Sequence, residues 1–309
     1  ESMLRTFSPS GLWPQGDQWG MHDYTREGAQ GCTSFNEIIA KGYGEPQNAK
    51  EFSELAQWVN YDGHRSMFES RSKNRMGLLM WMSHPCWPSM VWQTYDYYFE
   101  PTAAYFACKK ASEPLHIQWN PAIDEIEVVN YSAGTHKGLV AKVQILNMDA
   151  SVAWQKEIIV DSNEDTTDKC IKLEFPDNLS KVHFIKLTLT ENGRVISDNF
   201  YHRSLEENNY QALKDLPKIA LQSNMTTDKA ADGTWNATAM IENTSSTPAL
   251  MIRLNVLGNN DGQQFLPVFY SDNYFALLPG EKKEIRIHWK DEDTRGNVAK
   301  LVVTGYNVK

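Results

Sequence analysis

The stretch Leu78–Pro101 reads LLMWMSHPCWPSMVWQTYDYYFEP, and seven of its twenty-four residues are aromatic. An apolar run, Met76–Met82, ends abruptly at Ser83-His84-Pro85. That pattern predicts a buried strand opening into an irregular, aromatic-rich loop. Strand ends that open into such loops are where barrel and sheet enzymes hold their ligands. Trp and Tyr combine a large flat face with a polar edge, which suits them to stack on sugar rings or bases. Any one of these rings can equally be packing around the strand end, but the cluster as a whole reads as a ligand-facing wall.

Upstream, residues 1–46 are rich in Gly, Pro and Trp and lack periodicity, as in a long functional loop with short helical pieces. From Ala49 to about Ser72 the spacing turns helical: Phe52, Leu55, Ala56, Val59, Gly63 and Met67 form one apolar stripe. Thr102–Ala111 reads as a further helix, stopped by Pro114. Helix, both-faces-buried strand, loop and helix is the order of an α/β barrel or a doubly wound sheet.

After Pro114 the period becomes two. Ile126–Val129, Leu139–Leu146, Ile171–Phe175 and Val182–Leu189 read as strands, and Asn192-Gly193 is a hairpin signal before Val195. Residues 113–204 thus have the length and strand spacing of an immunoglobulin-like β-sandwich. Residues 205–216 are charged and lack alternation, which marks a linker. A second strand series covers 217–309: Trp235–Ile241, Leu250–Leu257, Phe265–Tyr270, Ile285–Trp289 and Leu301–Thr304. Asp261-Gly262 and Pro279-Gly280 supply its turns. The two sandwiches do not look like copies of each other.

The 309 residues, 41% hydrophobic, suffice for two or three domains with real cores. A formal net charge of −9 argues against a nucleic-acid or anionic-membrane partner. No apolar stretch approaches the roughly 20 residues of a membrane span, and no signal-peptide pattern opens the chain. The first residue is Glu1 rather than Met, so the chain is expected to be processed or cut from something longer. Cys32, Cys86, Cys108 and Cys170 are widely spaced and lack a His at zinc spacing. They argue against a disulfide scaffold and a metal site and read as buried free thiols; no cofactor is expected. Asn-x-Ser/Thr at Asn130, Asn178, Asn224, Asn236 and Asn243 is what chance supplies in so Asn-, Ser- and Thr-rich a chain.

At Trp81 the run WMSHPCWPSMVWQTYDYY, followed by PTAAYFACKKASEPL, resembles the last barrel strand and helix of glycoside hydrolase family 2. The similarity is to the branch of exo-β-D-glucosaminidases and β-mannosidases, including mannosylglycoprotein endo-β-mannosidases. WGMHDY (Trp19–Tyr24) and PVFYSDNYFALLPGE (Pro267–Glu281) resemble the same branch, so the likeness spans nearly the whole chain. One departure stands out: the branch has Leu-Asn where this chain has Ser83-His84. His84 can replace that Asn as a hydrogen-bond donor, or Pro85 can turn it elsewhere.

The resemblance implies a multi-domain chain: residues 1–112 as the C-terminal end of a (β/α)8 barrel, followed by two immunoglobulin-like β-sandwiches. A whole barrel needs about 250 residues, so only its end fits. Two glutamates carry the chemistry in such enzymes, both expected upstream of Glu1, and no catalytic role passes to Glu1 itself. Retaining hydrolysis needs two carboxyls about 5–5.5 Å apart, and no such pair is identified here.

What the resemblance does carry over is a binding wall. Trp81 corresponds to the barrel-end Trp that floors the sugar site, where an electron-rich face favours an oxocarbenium-like transition state. Trp87 and Trp92 either join it or lock the loop. Trp19, His22 and Asp23 sit in the long loop after strand seven, and Asp96, like Asp17, is a loop carboxylate read as a hydrogen-bonding or structural group. Tyr95, Tyr97 and Tyr98 are expected to pack on the first sandwich, and Asp272-Asn273 to form an Asx turn.

The expected function is therefore the C-terminal part of a retaining β-glycosidase acting on terminal β-linked glucosamine or mannose. Its partners are a carbohydrate substrate and the N-terminal remainder of the same enzyme, with a periplasmic or secreted setting favoured. An incomplete barrel should expose unpaired strand edges and apolar faces. The rival reading is a non-catalytic carbohydrate-binding or interaction module built on the sandwiches, which calls for an exposed aromatic platform on a sandwich face.

Overall fold

A computed structural model of the chain describes residues 1–24, 32–70, 77–90 and 93–309, with backbone alone for 32–34. It divides into two compact units. One comprises Glu1–Asn60, Met80–Phe106 and Leu216–Lys309; the other comprises Tyr61–Leu79 and Ala107–Asp215.

The N-terminal region is more helical than its composition suggests: α1 (Ser2–Thr6), α2 (Asp17–Met21), α3 (Cys32–Tyr43), α4 (Ala49–Ser70) and α5 (Ala103–Ala111). The apolar stripe read from the sequence faces inward where α4 begins, with Phe52, Leu55 and Trp58 buried. Among the described residues, all fourteen strands lie from Leu115 onward. The described part of the expected Met76–Met82 strand is therefore not a strand. Residues 77–82 pair with nothing among the described residues, and Leu79 is 98% exposed, in a run with Leu78, Met80, Trp81 and Met82 also exposed. A buried barrel strand needs ladder partners on both edges and cover on both faces. No strand in the described residues offers either.

In the unit containing residues 107–215, β1 (Leu115–Asn120), β2 (Glu125–Asn130) and β5 (Thr166–Lys172) form one antiparallel sheet. β4 (Val152–Ser162), β3 (His136–Asn147), β6 (Val182–Glu191) and β7 (Arg194–Ser204) form the other in that order. Alternate residues of both sheets, among them Ile117, Ile126, Leu139, Val143, Ile185 and Leu187, meet in one core. The β6–β7 hairpin turns at Asn192 and Gly193, both at positive φ (51° and 76°), the type I′ geometry that the Asn-Gly pair favours. Residues 205–216 are no free linker: Gln211–Asp215 is a 3₁₀ turn that buries Leu213 completely.

In the other unit, residues 216–309 supply two further sheets. They are β11 (Phe269–Tyr270), β13 (Lys282–Lys290), β9 (Thr234–Glu242) and β8 (Gln222–Lys229), and β12 (Phe275–Leu277), β10 (Ala249–Gly258) and β14 (Ala299–Thr304). The Tyr270 hydroxyl accepts the Val256 N–H at 3.1 Å, linking β11 to β10. Asn273 does more than turn the chain. It is buried and bonds both backbone groups of Leu254, at 2.8 Å and 3.1 Å.

The two strand regions share one corner that the sequence does not advertise. Asn130 accepts both the N–H and the hydroxyl of Ser132 (2.9 and 2.6 Å), and Asn243 does the same with Ser245 (3.1 and 2.7 Å). Each Asn is fully buried, so these two Asn-x-Ser triplets are Asx turns closing a strand end.

Beneath the first strand region lies a buried polar network. His116 on β1 bonds Glu69 of α4 through Nε2 (3.1 Å) and Glu113 through Nδ1 (3.0 Å). Glu69 also accepts from Asn199 (2.8 Å) and the Tyr201 hydroxyl (2.9 Å), while Ser197 donates to Glu113 (2.6 Å). Burial works against the imidazolium, yet the two carboxylates overcome it and raise the His116 pKa above its usual 6.5. Burial likewise opposes Glu113 ionisation, but His116 and Lys110 draw its pKa below 4.5.

The sign of the linkage follows. A raised His pKa contributes stability that is complete below 6.5 and lost as pH rises through the folded value; a lowered Glu pKa contributes above 4.5 and is lost as pH falls. His116→Gln should therefore cost about 3–5 kcal/mol near pH 6, the cost of stripping one partner from a buried pair. Urea unfolding across the pH range should show the gap between wild type and variant narrowing in alkali. A gap constant from pH 6 to pH 10 would show that His116 is neutral in the folded chain.

Candidate functional site

The loop after Met82 is closed at its base by one carbonyl. Ser83 O accepts the Thr94 N–H (3.0 Å) and its hydroxyl (2.9 Å), so residues 83–94 form a tied loop. His84 stacks on Tyr95, ring centroids 5.3 Å apart and planes within 6°. Its Nδ1 lies 3.0 Å from the Ser83 hydroxyl and 3.3 Å from the Tyr95 hydroxyl. Pro85 does not turn His84 out of the loop; it lines the same cleft as His84.

His22 pins the far side of that loop. Its Nδ1 donates to Pro88 O at 2.5 Å, its carbonyl accepts the Met90 N–H at 3.0 Å, and its ring stacks on Trp87 at 5.4 Å. His22 and Trp87 thus form one aromatic pair, and Trp87 keeps an exposed face. Asp23 follows at a left-handed φ of 69°. Asp17 starts α2 and is exposed.

Trp19 is a correction to the sequence reading. It is 0% exposed, donates its indole N–H to Leu12 O at 3.2 Å, and is enclosed by Phe7, Trp13, Tyr24 and Phe52. A ring covered on every side is core and offers a ligand no face. Trp81 is the opposite case, 81% exposed. Trp92 lies outside the described residues.

Asp96 begins a tight turn. Its Oδ1 accepts the N–H groups of Tyr98 (2.8 Å) and Glu100 (3.0 Å), and burial pushes its pKa above the usual 3.8 against those bonds. Glu100, 13% exposed, pairs with Arg253 of β10 and accepts the Ser2 hydroxyl at 2.8 Å. Burial opposes its charge, but Arg253 outweighs that and lowers its pKa.

The turn and the loop together line a cleft of about 520 Å³ that brings His84 and Asp96 to one place. Its other walls are Arg5, Tyr97, Tyr98 and Phe99, and Gln263, Gln264, Leu266 and Arg295 from the C-terminal strand region. Tyr97 and Tyr98, expected on the first sandwich, line this cleft together with residues of the second strand series. Sequence reading also missed Gln263, Gln264 and Arg295, which lie more than 160 residues from the loop they meet and carry no local signature.

Among the described residues no cluster of His, Cys, Asp and Glu could hold a metal, and no helix is long and apolar enough to cross a membrane. Cys86 is exposed rather than buried. Cys108 and Cys170 are half-buried, and burial pushes the Cys170 thiol up to about 12.

Comparison with known proteins agrees with this architecture. Residues 199–308 match the exo-β-D-glucosaminidase Ig-fold domain. The chain is 27% identical over 299 residues to an exo-β-D-glucosaminidase of Arthroderma benhamiae, covering 89% of this chain and 33% of that protein. It is 24% identical over 356 residues to a mannosylglycoprotein endo-β-mannosidase of Lilium longiflorum, covering 94% and 37%. The crystal structure of Amycolatopsis orientalis exo-chitosanase CsxA superposes with a TM-score of 0.85 at 26% identity, over 90% of this chain and 36% of that one. The chain spans about a third of the length of these relatives. Residues 199–308 thus match the exo-β-D-glucosaminidase Ig-fold domain, and the chain as a whole is similar to the C-terminal part of the glycoside hydrolase family 2 exo-β-D-glucosaminidase and β-mannosidase branch.

Proposed function

We propose that the chain is the C-terminal portion of a retaining β-glycosidase that removes terminal β-linked glucosamine or mannose. Residues 1–112 would complete a (β/α)8 barrel, and the two immunoglobulin-like regions would frame its pocket. The observation that carries the reading is the exposed Trp81 indole next to a loop held by the Ser83–Thr94 clasp and the His22–Trp87 pair. An indole face beneath the sugar stacks on its C–H groups and attracts the positive charge that develops at the anomeric carbon. Trp87 extends the wall, His84 offers a ring nitrogen to a hydroxyl, His22 holds the far side of the loop, and Asp96 holds the turn that follows it. The nucleophile and the acid/base glutamates are assigned to the remainder of the parent protein. The exposed Leu78–Met82 run is then the strand that this remainder would pair and cover.

A second reading, a carbohydrate-binding or interaction module, draws on Phe269 and His288. They stack in parallel at 4.8 Å and 9°, exposed on the β11–β13 face. Each ring covers a face of the other, which leaves a smaller platform than Trp81 offers.

The chain alone should leave p-nitrophenyl β-D-glucosaminide and β-D-mannoside intact, whereas the longer protein containing it should hydrolyse one of them. Turnover by the isolated chain would refute the division of labour, and an inactive longer protein would refute the glycosidase reading. In the longer protein Trp81→Ala should lower kcat/KM by about tenfold or more, the scale of a lost stacking and cation–π contact. In the isolated chain Trp81→Ala should change stability by less than about 0.5 kcal/mol, and Trp19→Ala should cost about 3–5 kcal/mol, both read by urea unfolding.

A further inference from the structure

Strand β10 is irregular just before it delivers Arg253. Its pairing with β12 slips between Ala249 and Ile252, and Met251 within the slip has a left-handed φ of 51°, a conformation that a non-glycine residue rarely takes. The irregular backbone is held twice. Gly305 lies so close that a Cβ there would stand 2.8 Å from Leu250 O. Next to Arg253, the buried Asn273 amide bonds both the N–H and the carbonyl of Leu254. A bulge re-aims the side chains beside it, and such strain persists only where the surroundings over-determine it.

The side chain delivered in this way reaches across to the loop region. One nitrogen of Arg253, Nη2, meets the Glu100 carboxylate and, at 3.2 Å, that of Glu1. Glu100 in turn stands on one arm of a small hairpin. Its carbonyl accepts the Asp96 N–H at 3.0 Å, Tyr95 and Pro101 form a bridge, and Thr94 O accepts both the N–H and the hydroxyl of Thr102 (2.9 and 2.8 Å). The opposite arm carries Thr94, whose N–H closes the 83–94 loop on Ser83 O, and Tyr95, on which His84 stacks. An unbroken set of contacts therefore runs from β10 to the loop that bears His84 and Trp87.

A mostly buried ion pair adds little net stability beside apolar residues of equal volume, whereas a planar guanidinium fixes direction. We propose that Arg253 is a positioning residue for the sugar-binding loop: it anchors the 94–102 hairpin to β10 and, through Tyr95, sets where His84 stands. The last strand region is then a working part of the site and not an appendage to it. The catalytic consequence rests on the glycosidase reading; the geometry rests on contacts within one compact unit.

Two measurements test this. The double variant Arg253→Met, Glu100→Gln removes both charges of the pair, and leaves only Glu1, whose side chain is 41% exposed. In the 309-residue chain, hydrogen exchange read by mass spectrometry should be about tenfold or more faster in peptides from 83–102 of this variant, with β9 and β13 exchanging as in wild type. In the longer protein the same variant should lose about tenfold or more in kcat on the p-nitrophenyl glycoside that wild type hydrolyses, because small misplacements of a site group are costly. Its thermal midpoint should stay within about 3 °C of wild type. Arg253→Lys keeps the charge without the planar fork and should recover part of both losses; it also serves if the double variant loses its far-UV dichroism. Lys229→Met, which breaks the exposed pair with Asp291, should change neither. Faster exchange throughout the unit would make Arg253 a general stabiliser, and unchanged exchange at 83–102 would remove the anchor; either result overturns the proposal. A loosened loop with full kcat overturns the positioning role. An inactive longer protein refutes the glycosidase reading, and the exchange result then decides by itself whether the anchor exists.

Discussion

The contact on which the site depends most is the ion pair between Glu100 and Arg253. It joins the residue that ends the Asp96 turn to the middle of β10, and α1 takes part through the Ser2 hydroxyl, with Glu1 reaching Arg253 at 3.2 Å. Burial works against the Arg253 charge, but Tyr274, Glu100 and Glu1 more than compensate and raise its pKa. Such a pair contributes modestly to net stability compared with a well-packed apolar substitute, yet losing one member strands the other in a poor dielectric. Its value is geometric. With Glu100 held, the Asp96 carboxylate can collect two N–H groups of the turn, and Tyr97, Tyr98 and Phe99 are delivered to one cleft. A chain segment and a sandwich loop far apart in sequence are thereby brought into register.

The aromatic residues divide according to whether something holds them. Trp19 is enclosed by four rings, and His22, Trp87, His84 and Tyr95 are paired face to face. Trp81 sits in an exposed apolar segment, and its exposure comes with that of Leu78 to Met82. An exposed run of five large apolar residues is unusual for a finished surface.

Much of this was legible in the residues, and the failures have physical causes. Period-two runs such as Leu139–Leu146 and Val182–Leu189 face a core on one side only, so alternation exposes them, and β3 and β6 contain them. β8 escaped notice because it is an edge strand of mostly polar side chains, QSNMTTDK, held to β9 by a backbone ladder. β4 escaped for a related reason, its outer face carrying charges that break the alternation. The Met76–Met82 run shows the reverse error: hydrophobicity there states what a segment would bury, and only partners can make it a strand. In the site, His84 and Asp96 were legible because they sit in the aromatic run. Arg5, Gln264 and Arg295 were not, since nothing in a linear sequence says which sandwich loop a turn will meet. Trp19 was misjudged because a core indole and a binding indole have the same local sequence.

The Ser83-His84 departure from the branch pattern gains a physical sense from these contacts. An Asn at that position would offer one donor and one acceptor from a short side chain. His84 instead uses Nδ1 toward the Ser83 and Tyr95 hydroxyls, and where those hydroxyls donate, Nε2–H is the group it presents. The exchange trades a two-way hydrogen-bonding group for a single donor fixed by stacking on Tyr95. A fixed donor suits an acceptor oxygen on the ligand and does nothing for an ammonium.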